Sequence, residues 1–385
     1  MRPLQLAALQ LLALLPAAAG APAFAHPGAL FSPATLATFR ARVAAGTEPT
    51  ASFLAASKLS VQGNASYVPF GPPADGLVVC GPYDVPNIGC SNQTSDADAA
   101  YLNALYYAAS GDEAFAQRGA RILDLWSAGF RGFRDSNAPL QASWVSAKFV
   151  RAAELLRASP AWPASSRAAF LAMMYSLHVP LMYECLPENG NWGLSAAEGL
   201  AGIAVVSENA TLFAHALDLW RKRVPAYFYS VADGPRPNPL PCGAGDTTWY
   251  NQTVFNASTD GVCQETCRDM GHTQMGFGAA INAASTFFAQ GVDVFAEEAP
   301  RLVAGAEFAA KYLLGAPEPA YLCSGAPIKL AHVATFEIAY AALAKRLGHA
   351  MPLTWQRITS AVRNVSGQDG IVSVWETATH GEPAP

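Results

Sequence analysis

The chain carries little charge and no excess of positive charge. Only 14% of its 385 residues are charged, and 24 Lys and Arg face 29 Asp and Glu, which gives a formal net charge of −5. Proteins that bind nucleic acid need clustered basic side chains to neutralise phosphates. The composition therefore argues against a nucleic-acid partner. Proteins that bind other long polyanions in a groove also usually carry more Lys and Arg than this chain does.

Long apolar runs are missing after the first 25 residues. Arg2, the apolar stretch LQLAALQLLALLPAAAGA and the small-x-small site Ala23-Phe24-Ala25 predict a signal peptide over residues 1–25. Its apolar core is too short for a transmembrane anchor, and Pro16 and Gly20 interrupt it. We predict a secreted, extracellular protein, or a periplasmic one if the source is bacterial, without membrane contact after cleavage.

Potential glycosylation sites fit the same route. A glycosylated surface and a eukaryotic secretory pathway are indicated by six N-x-S/T sequons, at Asn64, Asn92, Asn209, Asn251, Asn256 and Asn364.

Cysteine is not scarce, and its count is odd. All seven cysteines follow the signal peptide, and in an oxidising compartment most should pair. Cys80 and Cys90 would close a short loop, Cys263 could pair with Cys267 or with Cys242, and one thiol is left over. The Cys263-x3-Cys267 spacing would suit zinc only with a second pair at ligand spacing, so we predict no metal site.

Strand patterns and internal repeats are also scarce, whereas helical patterns follow one another. In SPATLATFRARVAAG, Ser32 is a cap and Pro33 opens the helix. Two antiparallel helices over 96–128 should be joined by a turn at 110–112, and a second pair of helices should be joined by a turn at Asn209. Successive helical hairpins that each bury one face can close into a ring. We predict an all-α protein, an (α/α) toroid or incomplete barrel, with a single domain over 26–385 and a monomeric state. An open solenoid is the structural alternative, against which the missing repeat argues.

The stretch ETCRDMGHTQMG concentrates charge in a chain that has little. Read as a helix, it places Glu265, Arg268, Asp269 and His272 at i, i+3, i+4 and i+7, on one face. Small and apolar residues follow, as in a helix packed among others. We predict that this face lines a groove.

Four sequence blocks together resemble the alginate lyase superfamily. They are QETCRDMGHTQMG, the upstream NGNWG, the early HPG and the segment FAAKYLLG, and the resemblance runs from His26 to about residue 345. RDMGHTQ is the most specific block. The resemblance implies a helical toroid with a deep groove that cleaves uronic-acid polysaccharides, such as alginate or a glucuronan, by β-elimination without a cofactor or a metal.

Elimination next to a carboxylate needs a group that neutralises that carboxylate, a base for the C5 proton and an acid for the leaving oxygen. Asn191 and Arg268 are the candidates for neutralisation, and His272 and Tyr250 are the candidates for base and acid. Glu265 and Asp269 could orient Arg268 and His272. Candidates for substrate binding are Trp192, Gln141, Glu265, Gln274 and Trp249, and Lys148 is more typical of a surface residue.

The sequence departs from the best-studied family members at two positions. Trp192 stands where they pair a histidine with the asparagine, and the positions after Arg268 offer His272 and Gln274 but no tyrosine.

Two other functions stay open at this stage. One is a glycoside hydrolase, with Glu265 or Asp269 opposite Asp246 or Glu198. The other is a secreted polysaccharide-binding protein without catalysis.

Overall fold

The computed structural model describes residues 23–184, 186–187, 190–240, 249–364, 371–372 and 374–383. Most of the signal peptide predicted over 1–25 lies outside these ranges, as do Cys185, Cys242 and Asp246. None of the helices in the described ranges is long and apolar enough to cross a membrane.

Helices dominate the described residues, with three short strands near the start. The α-helices are α1 (Pro33–Ala45), α2 (Thr50–Ser57), α3 (Cys90–Ser110), α4 (Glu113–Gly129), α5 (Ala138–Leu156), α6 (Ala164–Met173), α7 (Val179–Met182), α8 (Gly190–Val206), α9 (Ala210–Tyr227), α10 (Met270–Ala289), α11 (Val294–Glu297), α12 (Ala299–Leu313), α13 (Glu337–Ala339), α14 (Pro352–Ser360) and α15 (Glu376–His380). A π-helical turn, Met174–His178, joins α6 to α7, and another, Tyr340–Arg346, extends α13. The strands are β1 (Leu77–Cys80), β2 (Asn87–Ile88) and β3 (Gly132–Arg134).

The short sheet has the order β2-β1-β3. Strand β1 pairs with β2 in antiparallel register, with Val79 opposite Ile88, and with β3 in parallel register, with Val78 opposite Phe133. The segment 58–95, whose many Gly, Pro, Ser and Asn residues are typical of a long loop, therefore contains two strands and the start of α3.

Local signals in the sequence set several helix ends. Ser32 caps α1 with a capping box and Pro33 is its first residue, as predicted. Gly111, in the left-handed conformation, ends α3 and Asp112 caps α4. The Asn209 side chain caps α9 by accepting from the Leu212 amide.

Four helices, α3, α5, α8 and α10, are buried over most of their length and pack side by side in that order. We call them the inner helices. Outer helices such as α4 and α9 bury only one face. Small residues let the inner helices approach closely; for example, a Cβ on Gly199 of α8 would lie 3.2 Å from the Ser143 carbonyl of α5.

The inner helices run parallel. Gln141 near the start of α5 bonds to the Cys90 carbonyl at the start of α3, and further along Lys148 pairs with Asp98. In α9, Tyr227 contacts Thr273 and Trp220 contacts Ala280, so α9 is antiparallel to α10. Helix α9 also turns back on α8, which makes α8 parallel to α10. Gly199 and Gly202 of α8 lie against Ser143 and Val150 of α5, in the same order along both helices, so α5 is parallel to α8. All four inner N-termini therefore lie at the same end of the ring.

One predicted helix boundary is wrong. The face Glu265 to His272 is not continuous helix, because Glu265–Arg268 form a turn and Asp269 is extended with φ −175°. Asp269 caps α10, whose first residue is Met270, by accepting from the His272 amide at 2.8 Å. A residue that caps a helix cannot at the same time lie inside it.

Candidate active site

Asn191, Glu265 and Arg268 meet at the end of the ring where the inner helices begin. Asn191 is the second residue of α8, and its Nδ2 donates to both carboxylate oxygens of Glu265, each at 2.8 Å. Arg268 Nη1 donates to Glu265 Oε1 at 3.0 Å. One carboxylate thus holds the predicted amide and the predicted guanidinium, from segments 74 residues apart.

Glu265 is inaccessible to a substrate, because its exposed fraction is 0%. Burial raises the pKa of its carboxyl above the ordinary value, although the hydrogen bonds from Asn191 and Arg268 oppose that shift. Burial lowers the pKa of Arg268, but the hydrogen bond to Glu265 and the charges of Glu265, Tyr250 and Asp269 together outweigh burial, and the net pKa is raised. Arg268 is thus a permanent cation with 22% of its side chain exposed.

His272 forms a pair with Asp269 in the first turn of α10. Its Nδ1 lies 2.6 Å from Asp269 Oδ2, and its side chain is 30% exposed. Burial raises the pKa of Asp269, yet the hydrogen bonds from His272 and the charges of His272 and Arg268 together outweigh burial and hold the net pKa below its usual range. An ionised Asp269 favours the tautomer with the proton on Nδ1, which leaves Nε2 with a lone pair.

Tyr250 lies over Arg268. The guanidinium carbon is 5.8 Å from the centre of the Tyr250 ring, within the range of a cation–π contact. Tyr250 has a positive φ of 49° and is half-buried. The four predicted catalytic residues Asn191, Arg268, His272 and Tyr250 are therefore linked, directly or through Glu265 and Asp269, into one cluster.

Sequence reasoning missed Tyr227, the last residue of α9. Its hydroxyl lies 3.3 Å from Glu265 Oε2 and 3.3 Å from the His272 carbonyl oxygen. Its ring fills space left by two glycines: a Cβ on Gly190 would lie 2.0 Å from its Cδ2, and one on Gly276 would lie 2.3 Å from its hydroxyl. Those glycines, in NGNWG and HTQMGFG, were the available signal.

Two covalent and polar links fix the loops around the cluster. A disulfide joins Cys267, next to Arg268, to Cys323, and we call it the site disulfide. Gln252, two residues after Tyr250, accepts from the Cys323 amide at 2.7 Å and donates to the Val254 carbonyl at 2.6 Å. The loops that carry Tyr250 and Arg268 are thus tied to the same segment.

The cysteine predictions have a mixed outcome. Cys80 and Cys90 form the predicted short-loop disulfide, which we call the loop disulfide. Pairing of Cys263 with Cys267 is wrong, because Cys267 bonds to Cys323 and Cys263 is a buried free thiol. Cys263 instead lies in an isolated β-bridge with Phe228.

Gln274 and Gln141 have their amides engaged elsewhere. Gln274 is fully buried and its Nε2 donates to the carbonyls of Met270 and Ala331, at 2.7 and 2.8 Å, which holds the 331–333 loop on α10. Gln141 Nε2 donates to the Cys90 carbonyl at 3.0 Å, beside a cavity of ≈ 300 Å³ that Trp144 also lines.

The two predicted tryptophans are half-buried. Trp192 follows Asn191 and packs at the margin of the core. Trp249 contacts Phe255 edge to face at 5.1 Å and lines a cavity of ≈ 610 Å³ together with Arg236. Trp249 thus borders a proline-rich cavity.

Of the four carboxylates considered for a hydrolase, Glu198 and Glu265 are buried, Asp269 is 24% exposed and pairs with His272, and Asp246 lies outside the described ranges. Glu198 is 5% exposed and forms an ion pair with Arg151, and Glu265 is engaged as described above. Lys148, expected at the surface, is 1% exposed, because it pairs with Asp98 between α5 and α3 at 2.6 Å. Within the described ranges, His, Cys, Asp and Glu side chains form no group of three that could hold a metal ion.

Comparisons with known proteins agree with the resemblance predicted from the sequence. The family model for alginate lyases matches residues 89–320, more than half of the chain. A comparison with curated protein sequences finds no match.

Solved structures of the same fold cover most of the chain. Alginate lyase A1-III from Sphingomonas species A1 matches with a TM-score of 0.64 and 14% identity, over 93% of this chain and 97% of that one. A point variant of the same enzyme, complexed with tetrasaccharide, matches with a TM-score of 0.63 and 13% identity, over 93% and 98%. An alginate lyase from Bacteroides ovatus matches with a TM-score of 0.61 and 14% identity, over 93% and 100%.

The match to the alginate lyase family model, together with the helical toroid fold of the solved alginate lyases, defines a polysaccharide lyase of the helical toroid class. The chain belongs to the alginate lyase family. The predicted fold class and enzyme class are confirmed.

Proposed function

We propose that the protein is secreted and cleaves a uronic-acid polysaccharide by β-elimination at the cluster around Arg268. The observation that carries this proposal is the single buried carboxylate, Glu265, that holds both Asn191 and Arg268. We further propose a single catalytic domain over 26–385 that acts as a monomer.

Arg268 neutralises the substrate carboxylate. The C5 proton of a uronate becomes acidic only when the charge that develops on the adjacent carboxylate is stabilised. Arg268 is the part of the Asn191–Glu265–Arg268 unit that is accessible, with 22% of its side chain exposed, whereas Asn191 is fully buried. Asn191 therefore acts through Glu265, by fixing the position from which Arg268 binds.

His272 and Tyr250 move the protons. Neutral His272 takes the C5 proton at Nε2, the electron pair forms the C4–C5 double bond, and the C4–O bond breaks. Tyr250 gives its phenolic proton to the leaving oxygen, and the unsaturated uronate stays on the new non-reducing end. Positioned acids and bases of this kind contribute about 10²–10⁴-fold each.

Ultraviolet absorbance of the unsaturated product tests the proposal. The secreted protein is incubated with a panel of polyuronates, beside a double variant with Arg268→Ala and His272→Ala. A rise on one polymer that the double variant lacks supports elimination at this cluster and identifies the substrate. Reducing ends without absorbance would indicate a hydrolase, and binding without either product would indicate a carbohydrate-binding protein.

A further inference from the structure

The six sequons differ in whether the folded chain can carry a glycan on them. The side chains of Asn92, Asn251 and Asn256 are exposed. Asn209 is different: its Nδ2 donates to the Tyr175 hydroxyl at 3.0 Å while its Oδ1 caps α9. A glycan on that Nδ2 would remove the bond to Tyr175 and disturb a cap that is worth about 1 kcal/mol.

Asn251 stands out because of its neighbours. It follows Tyr250, the residue that lies over Arg268, and it precedes Gln252, which is buried and anchors the loop. The Asn251 backbone is left-handed, with φ 70°, and its carbonyl accepts from the Ser324 hydroxyl at 2.6 Å. An exposed asparagine is thus held on a fixed loop one residue from the candidate active site.

We propose that Asn251 carries an N-linked glycan at the rim of the active site, and that this glycan restricts the access of long polysaccharide chains. The donor is an oligosaccharide linked to a lipid diphosphate. A bond forms between Asn251 Nδ2 and the first sugar carbon, the bond from that carbon to the diphosphate breaks, and the amide proton leaves with the lipid diphosphate. The proposal rests on secretion and on the active site proposed above.

Occupancy is measured first, independently of activity. The full chain is secreted from a eukaryotic host, and its glycopeptides are identified by mass spectrometry before and after enzymatic deglycosylation. We expect Asn251 to be modified and Asn209 to be unmodified in the folded product. An unmodified Asn251 would overturn the proposal.

The effect on access is measured with Asn251→Gln and a matched control, Asn256→Gln, which removes the next sequon of the same region. For the Asn251 variant we expect kcat/KM on the long polymer to rise by about threefold, because the polymer can then reach the active site from the side that the glycan had blocked. We expect no change in kcat/KM on short oligosaccharides. The control should leave both values unchanged. Equal changes on long and short substrates, or no change, would refute the role in access. If no polyuronate is cleaved by any form, the proposed function fails, while the occupancy result still stands.

Discussion

Replacing Glu265 by glutamine separates charge from shape at the centre of the site. The variant keeps the volume of the side chain but removes the negative charge that holds Arg268. In the parent protein the Asn191 NH2 group donates to both carboxylate oxygens of residue 265. In the variant an amide NH2 group replaces one of these oxygens and faces the Asn191 NH2 group. Two donors cannot satisfy each other, so at least one of these hydrogen bonds is lost.

The size of the effect follows from the bonds affected. A hydrogen bond to a charged group contributes about 1.5–3 kcal/mol and a neutral one about 0.5–1.5 kcal/mol. The bond to Arg268 is weakened and one bond to Asn191 is lost. Together these changes reduce the free energy that holds Arg268 in position by about 2–4 kcal/mol. Since each 1.4 kcal/mol is tenfold in rate, we expect kcat to fall by about 30- to 700-fold, with a smaller change in KM.

Glu198→Gln is the matched control. Glu198 is also buried and ion-paired, to Arg151, but it lies away from the Arg268 cluster. Both variants should lower the free energy of unfolding, measured by chemical denaturation, and only the Glu265 variant should lose kcat. A Glu265→Gln protein that folds and retains kcat within about threefold of the parent, less than 1 kcal/mol, would refute the positioning role.

The role of Glu265 can also be tested through the pH dependence of activity and stability, measured for the parent and for the Glu265→Gln variant. Because burial raises the pKa of Glu265, the carboxyl becomes protonated while the pH is still above the ordinary carboxyl range. Below that raised pKa the parent should lose activity, since a protonated Glu265 no longer accepts from both partners. A raised pKa also means that this group's contribution to stability is full at low pH and is lost as the pH rises through the folded pKa. The glutamine variant should lack both dependences.

Three further outcomes are expected. Asp269→Asn keeps a good helix cap but no longer fixes the imidazole tautomer, so kcat should fall by about 10²-fold with little change in melting temperature; an unchanged kcat would exclude this role. Cys323→Ser breaks the site disulfide and should lower kcat by about tenfold, because the loops that carry the site residues are then misplaced. Cys90→Ser breaks the loop disulfide and should lower the free energy of unfolding by about 2–4 kcal/mol without changing kcat in the folded protein. Equal losses of kcat in the two variants would contradict this difference. N-terminal sequencing of the secreted protein should find a mature chain that begins at His26, directly after the small-x-small site Ala23-Phe24-Ala25, and a secreted chain that still begins at Met1 would contradict it.

Much of the fold could be predicted because its signals are local. The Ser32-Pro33 start, the turn at Gly111 and the cap at Asn209 depend on residues within a few positions of each other, and all three are confirmed. Helices that are apolar or small around their whole circumference, as in α8, have to be buried on every side. That pattern is sufficient to predict a ring of hairpins around inner helices.

The arrangement of the site could not be predicted from spacing. The i, i+3, i+4, i+7 pattern selected Glu265, Arg268, Asp269 and His272, but it implied that all four share one helical face. In the structure Glu265 points to Asn191, a partner 74 residues away, and Asp269 begins a helix instead of continuing one. Helical periodicity describes neighbours within a few turns and carries no information about a buried partner from another segment.

The parallel direction of the inner helices has an electrostatic consequence for a chain with so few basic residues. Each helix carries a partial positive charge at its N-terminus, from peptide dipoles aligned along its axis. Helices α3, α5, α8 and α10 begin at the end of the ring where Arg268 lies, so their fields add at that end. A protein with a net charge of −5 can thus present a positive potential to a polyanion through its backbone, and mutations of surface charges would leave most of that potential in place.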